Sequence, residues 1–306
     1  MGTPEFAVAS LDALLKANYT IAGVITAPDR PAGRGRKLRQ SAVKEYALQH
    51  HLNILQPTNL KAPDFLETLK ELNADLQIVV AFRMLPKQVW SMPAYGTFNL
   101  HASLLPDYRG AAPINWAIIN GEKKSGVTTF FINEKIDTGA IILQEEIEIP
   151  DTFNAGDLHD QLMETGSKLV TKTVALIENK KIQIKEQELK EEKPAPKLNK
   201  ENCKINWNDS LNRIYNHIRG LSPYPAAWTT FNNKDKNIEV KIYKAEKIEE
   251  AHNYLPGTII SNKKQLKIAV INGFLIILEL KLAGKRKMDV VSLLNGMTIF
   301  ENAKMV

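Results

Sequence analysis

The chain has 306 residues, 44% of them hydrophobic, with 40 Lys and Arg against 34 Asp and Glu and a single cysteine. That length predicts two domains, each able to bury a core of its own. No apolar run is long enough to span a membrane, no charged-then-apolar leader opens the sequence, and Cys203 and six scattered histidines form no disulfide or zinc pattern. A membrane protein, a disulfide-stapled secreted domain and a zinc-organised fold are therefore not expected.

Residues 2–6 read as a turn into a helix over 7–17, with Val8, Leu11, Leu14 and Leu15 as its apolar side chains. Residues 19–26 have the continuous apolar character of a buried parallel strand. A loop over 27–39 follows, broken by Pro28, Pro31, Gly33 and Gly35. It sets Arg30, Arg34, Arg36, Lys37 and Arg39 against Asp29 alone. Such a loop suits phosphate contacts, and it also suits plain solvation. Gly33-Arg34-Gly35 lacks the third glycine of a dinucleotide fingerprint. Helices are expected at 41–51 and 65–72, strands at 53–55 and 76–82.

The chemistry concentrates next. After a turn at 93–96, Asn99 and His101 stand two apart on a strand, hence on one face, just before Pro106 breaks the chain. An amide donor and a titratable base then meet at a strand's C-terminal end, where open α/β sheets build their sites. Taken alone, the pair also reads as a turn cap and a hydrogen-bonded core histidine. Residues 114–120 form a helix behind Pro113, a good first-turn residue. Strands at 127–132 and 147–149 and a long helix at 154–179 follow. Strands alternating with helices predict βαβ units and a doubly wound parallel sheet.

Residues 180–202 are rich in Lys, Glu and Gln, contain Pro194 and Pro196, and read as a solvated linker. Beyond a helix at 210–219, short strands at 228–231, 238–245, 257–260, 266–270 and 274–282 predict a small barrel. It ends on the basic cluster Lys285-Arg286-Lys287. Residues 198–306 carry 17 Lys and Arg against 10 Asp and Glu, so the whole positive excess lies there. A basic region beside a near-neutral one suits a polyanionic partner or a lysine-rich solvated surface.

Asn99-Leu100-His101, with Ser103-Leu104-Leu105-Pro106 and Arg109-Gly110-Ala111-Ala112-Pro113 behind it, resembles the folate-dependent formyltransferases. Ile136-Asp137-Thr138-Gly139 agrees. Gly2-Thr3-Pro4-Glu5-Phe6-Ala7 and Pro28-Asp29-Arg30-Pro31-Ala32-Gly33-Arg34-Gly35 look like those members that act on methionyl-tRNA. The resemblance runs nearly end to end. It implies a Rossmann-like catalytic domain over 1–189, a linker over 190–202 and an OB-like, tRNA-binding β-barrel over 203–306. It implies a cytoplasmic monomer that moves a formyl group from 10-formyltetrahydrofolate to the amino group of initiator methionyl-tRNA, without a metal.

By the same resemblance Asn99, His101 and Asp137 are the catalytic trio. Arg83, Met84 and Leu85, with Ser103, Leu104, Leu105 and Pro106, line the folate pocket. Arg34, Arg36, Lys37, Lys285, Arg286 and Lys287 meet tRNA. Asn99 suits an oxyanion donor, His101 oxyanion stabilisation and proton transfer, and Asp137 the orientation of the imidazole in its cationic form. Arg83 and Met84 stand where Tyr-Gly is common, and Asp107 where Arg is. Sugar-nucleotide amines, glycinamide ribotide and water are the rival acceptors, and a nucleic-acid-binding module with an inactive catalytic domain is the reading without catalysis. The Arg-rich loop and basic barrel favour tRNA. Related proteins carry an apolar strand before the turn at Gly2, where only Met1 stands here, so a coding start upstream of Met1 is expected.

Overall fold

The computed structural model describes residues 1–32, 37–188, 193–234 and 236–306, without the side chains of Ala32 and Lys37. Arg34, Arg36 and the Lys37 side chain thus lie outside the description. The chain forms two compact units: Met1–Gly110 with Ser125–Ile147 and His159–Pro194, and Ala111–Lys124 with Glu148–Leu158 and Ala195–Val306.

Chain order begins α1 (Glu5–Lys16), β1 (Val24–Ile25), β2 (Arg30–Ala32), β3 (Lys37–Arg39), α2 (Ala42–Gln49), β4 (Ile54–Leu55), α3 (Pro63–Glu71) and β5 (Gln77–Val80). It continues α4 (Lys87–Trp90), β6 (Thr97–His101), α5 (Pro113–Ile119), β7 (Lys124–Phe131), β8 (Ile141–Glu148) and α6 (Ala155–Glu178). Local chemistry sets the helix starts. Ser41 caps α2, its hydroxyl accepting from Lys44 N at 3.0 Å, and α3 and α5 open on prolines whose missing N–H is not needed there.

In the first unit β1 runs parallel to β4, and β5 parallel to β6, in the order β5-β6-β7-β8. Gly2 joins the two sheets: its N–H donates to Ile25 O at 3.0 Å and it bridges Val80 in parallel. The parallel expectation holds as far as β6. There β7 turns antiparallel, pairing His101 with Thr128, as mixed sheets often do toward an edge. The strand expected over 19–26 narrows to β1, because ladder pairing with β4 begins at Val24, whose N–H donates to Asn53 O, and ends with Thr26 N donating to Leu55 O. Residues 20–23 instead line a cavity of about 640 Å³ together with Gly2, Leu14 and Leu76. None of Asn99, His101 or Asp137 lines it. Ile25, Phe65, Leu69, Val79 and Val89 form a core between these elements. Burying each such side chain contributes about 1.5–3 kcal/mol. Within the loop expected over 27–39, β2 pairs antiparallel with β3. Asp29 anchors its base, accepting from Lys44 at 2.6 Å and from Gln56 at 2.8 Å, and these bonds hold its carboxyl below the ordinary value.

The second unit adds α7 (Leu211–Leu221), β9 (Ala227–Asn233), β10 (Lys236–Glu249), β11 (Ile259–Ser261), β12 (Leu266–Val270), β13 (Gly273–Leu282), β14 (Met288–Asp289), α8 (Val290–Gly296) and β15 (Lys304–Met305). Its sheet runs β11-β12-β13-β10-β9-β15. Thr258 then bridges back to Lys304, so β15 closes the sheet into a barrel around Trp207, Ile214, Phe231, Ile242 and Leu266. Met305 N donates to Gly257 O at 2.9 Å. Gly257 sits at φ +85°, and a Cβ there would lie 2.3 Å from Met305 O, so only glycine allows this closure. The sequence pointed to the five longer strands and missed β14, α8 and β15, which are too short to show periodicity.

His217, on α7, has a buried Nε2 with no hydrogen-bond partner among the described residues. Burial pushes its pKa down, against a hydrogen bond to the Cys203 backbone and the charge of Asp209. The unfolded chain therefore binds this proton first as pH falls. The contribution to stability is complete above the unfolded value of about 6.5 and is lost on acidification below it. Melting temperatures at about pH 7.5 and about pH 5.5 are expected to differ more for the native protein than for His217→Gln. An equal difference would overturn this assignment.

Candidate active site

Strand period and register bring the predicted pair together. Asn99 lies opposite Val79 and Phe130 and His101 opposite Thr128, both on the same face of β6. The Asn99 side chain is half-buried, and its amide makes no hydrogen bond among the described residues. His101 is buried, at 7% exposure. Its Nε2 donates to Tyr108 O at 2.9 Å, which leaves Nδ1 facing Asp137. Tyr108 presents that carbonyl from a left-handed backbone at φ +61°, and its own N–H donates to Lys193 O at 2.6 Å.

Asp137 reaches the histidine from the turn between β7 and β8. Its Oδ2 stands 3.9 Å from His101 Nδ1, beyond a hydrogen bond, and accepts from Gly110 N at 3.1 Å. Asp137 also sits in the left-handed region, at φ +52°. Holding a non-glycine residue there costs about 1–3 kcal/mol. Two donors converge on its carbonyl, Arg109 Nε at 2.9 Å and Gln187 Nε2 at 3.0 Å. At about 0.5–1.5 kcal/mol net each, they are of a size to offset that strain. Burial lowers the Arg109 pKa from its ordinary value, and the charge of Asp137 opposes the shift. Gly139 completes the turn. A Cβ at this position would lie 1.6 Å from Phe131 O.

The other predicted residues fall into different settings. Ser103 is 1% exposed, and its hydroxyl donates to Asp107 O at 2.7 Å, closing a turn. Thr128 and Gln144 brace the same segment: Thr128 Oγ1 donates to Ser103 O at 2.7 Å and Gln144 Nε2 to Leu105 O at 2.9 Å. Leu105 packs with Phe130 and Ile141, while Leu104 and Pro106 are half-buried. At the C-terminal end of β5, Ala81 is left-handed at φ +48°, Leu85 is buried, and Met84 is 67% exposed. The Arg83 guanidinium donates to Thr58 O at 2.9 Å and to Pro57 O. Lys285, Arg286 and Lys287 are exposed on the barrel turn after β13. Lys287 is already engaged, 2.7 Å from Glu279 and over the Tyr243 ring.

A histidine between a backbone carbonyl and a carboxylate, beside a free amide, is equipped to stabilise an oxyanion and move a proton. Residues 1–174 match the formyl transferase family and residues 197–298 the formyl transferase C-terminal domain. The chain belongs to the formyl transferase family. Among its relatives, the methionyl-tRNA formyltransferase of Flavobacterium johnsoniae is 61% identical, covering 99% of this chain and 97% of that protein. That of Flavobacterium psychrophilum is 57% identical, with coverage of 99% and 96%. The N-formyltransferase from Helicobacter canadensis, solved with folinic acid and dTDP-3-aminofucose, is 25% identical at a TM-score of 0.66, covering 94% of this chain and 97% of that one. In this formyl transferase, Asn99 and His101 share a face of β6 and Asp137 stands 3.9 Å from the histidine. Gln187, Thr128 and Gln144 were not anticipated. Gln187 lies in a stretch whose composition reads as solvent-facing, so no periodicity marked it.

Proposed function

We propose that this chain transfers the formyl group of 10-formyltetrahydrofolate to the amino group of initiator methionyl-tRNA, acting in the cytoplasm as a monomer. The observation that carries this is full-length identity of 61% and 57% to two proteins named for that activity. Residues 1–189 would do the chemistry and 203–306 would hold RNA, joined by 190–202.

The neutral amine attacks the formyl carbon and forms a C–N bond. The carbonyl electrons collect on oxygen, where the free Asn99 amide is placed to donate. One such donor is worth about 3–4 kcal/mol of transition-state stabilisation. His101, steered by Tyr108 O and Asp137, takes up the amine proton. That proton goes to the folate nitrogen as its bond to the formyl carbon breaks and the carbonyl re-forms. The products are formylmethionyl-tRNA and tetrahydrofolate. Exposed Met84 offers an apolar surface for a flat pterin ring, and the braced backbone of Ser103, Leu104, Leu105 and Pro106, with Arg83 and Leu85, completes the wall.

The deciding assay supplies 10-formyltetrahydrofolate labelled in the formyl group with methionyl-tRNA, a sugar-nucleotide amine, glycinamide ribotide or water alone. Label is expected on methionyl-tRNA. Label on a small amine, or released as formate at the same rate without any amine, would reject the proposal.

The barrel turn gives a second expectation. Lys285 and Arg286 are exposed and Lys287 is paired, so Lys285→Ala with Arg286→Ala should remove up to two phosphate contacts. The slope of log affinity against log salt should flatten by about 0.7–0.9 per contact, with turnover at saturating tRNA retained. An unchanged slope in tRNA titrations would remove these residues from the RNA surface.

A further inference from the structure

We infer that Gln187 is a positioning residue of this site, holding Asp137 and through it the orientation of His101; the inference rests on the function proposed above. Gln187 follows α6 in a polar stretch, just beyond an anchored backbone. Two residues earlier, Lys185 exchanges both backbone hydrogen bonds with Ile141, at 2.8 and 2.9 Å. From there the side chain reaches the two loops that build the site. Its Nε2 donates to Asp137 O at 3.0 Å and to Gly139 O at 2.8 Å, and its Oε1 accepts from Arg109 Nη2 at 2.6 Å.

An amide carries two donor hydrogens and one acceptor oxygen, and here all three are engaged at once. A glutamine that merely faced water would meet no such convergence. The loop that carries Arg109 also holds the Asp137 carboxylate. Gly110, next to Arg109, donates to Asp137 Oδ2, and that atom is the one facing His101 Nδ1. Arg109 Nε and Gln187 Nε2 share the Asp137 carbonyl, so both its lone pairs are used. Asp137 holds φ +52° against its own preference. Without the amide, the backbone can relax toward negative φ, and the carboxylate swings away from the imidazole.

The test uses the full chain. Gln187→Ala is expected to lower kcat about tenfold to a hundredfold, the scale of a small misplacement, while KM for both substrates stays within about twofold. Gln187→Glu keeps the size of the side chain and the oxygen facing Arg109 but offers no donor to the two carbonyls, and it should be slowed as much. In an Asp137→Asn background the further loss from Gln187→Ala should shrink to less than about threefold, because residues acting as a unit are not additive. Backbone amide exchange over residues 137–139 should quicken in both Gln187 variants. Near-native kcat in either variant, a loss confined to KM, an equal loss in the Asp137→Asn background, or unchanged exchange would each overturn the inference. If the native chain moved no formyl group to tRNA, the proposed function would fall, and the exchange measurement would still decide whether Gln187 holds the turn.

Discussion

His101→Ala is expected to turn over about two to four orders of magnitude more slowly than the native chain, the range for acid–base and oxyanion groups. Asn99→Ala and Asp137→Ala should fall in the same range, because in the proposed mechanism the three serve one proton path and one developing charge. His101 is also bonded at Nε2 to Tyr108 O, so alanine removes a buried hydrogen bond worth about 0.5–1.5 kcal/mol net. His101→Gln separates the two effects: its amide can still donate to that carbonyl, while it cannot carry a proton between amine and folate. It should therefore melt close to the native protein and remain slow. Retained tRNA binding, measured by filter capture or anisotropy, completes the expectation. A folded His101→Gln protein with native turnover would end the proposed mechanism.

Gly139→Ala should be nearly as damaging. The added Cβ would stand 1.6 Å from Phe131 O and 2.8 Å from Phe131 C, both backbone atoms that no rotamer change can move. The turn carrying Asp137 has to shift, and β7 or β8 must give with it. A misplacement of this kind costs about a hundredfold in rate even where the fold survives. Overpacking adds about 1–3 kcal/mol of lost stability. Gly296→Ala is the matched control, since a Cβ at that position of α8 meets nothing within 4 Å. Turnover and melting temperature are expected to drop for the first substitution and hold for the second. A Gly139→Ala protein as active as Gly296→Ala would mean that the turn has slack that the packing does not show.

These two cases mark what a sequence can disclose. Asn99 and His101 share a face because a strand alternates every residue, and the Pro106 break put them at its end, so their meeting could be read in advance. Asp137 could not be placed by spacing. Its approach depends on β7 running antiparallel to β6 and on a tight turn that only Gly139 permits, and here the family motif supplied what periodicity could not. For Ser103 and Leu105, assigned to a ligand wall, the side chains are buried and leave only the backbone to line it, because a Ser-Leu-Leu-Pro string does not say which side of a bend is wet. The stretch over 19–26 announced burial, which apolar residues do, but hydrogen-bond pairing belongs to the neighbouring strand. Gln187 was invisible for the opposite reason: its surroundings look like water-facing surface, and its value comes from distant loops arriving at one amide.

The barrel's last stave has a consequence for how the protein is made. β15 is the element that meets β9 on one side and Thr258 on the other, and Val306 and Thr230 exchange both backbone hydrogen bonds at 2.9 and 3.0 Å. On the ribosome, β9 to β13 emerge long before it. Until residues 304–306 clear the exit tunnel, the nascent second unit exposes two unpaired strand edges, β9 and β11, which are templates for pairing with other chains. The first unit, synthesised earlier for most of its length, faces no such wait. Chaperone dependence and aggregation during synthesis should therefore concentrate in the interval between the appearance of β9 and the release of the closing strand.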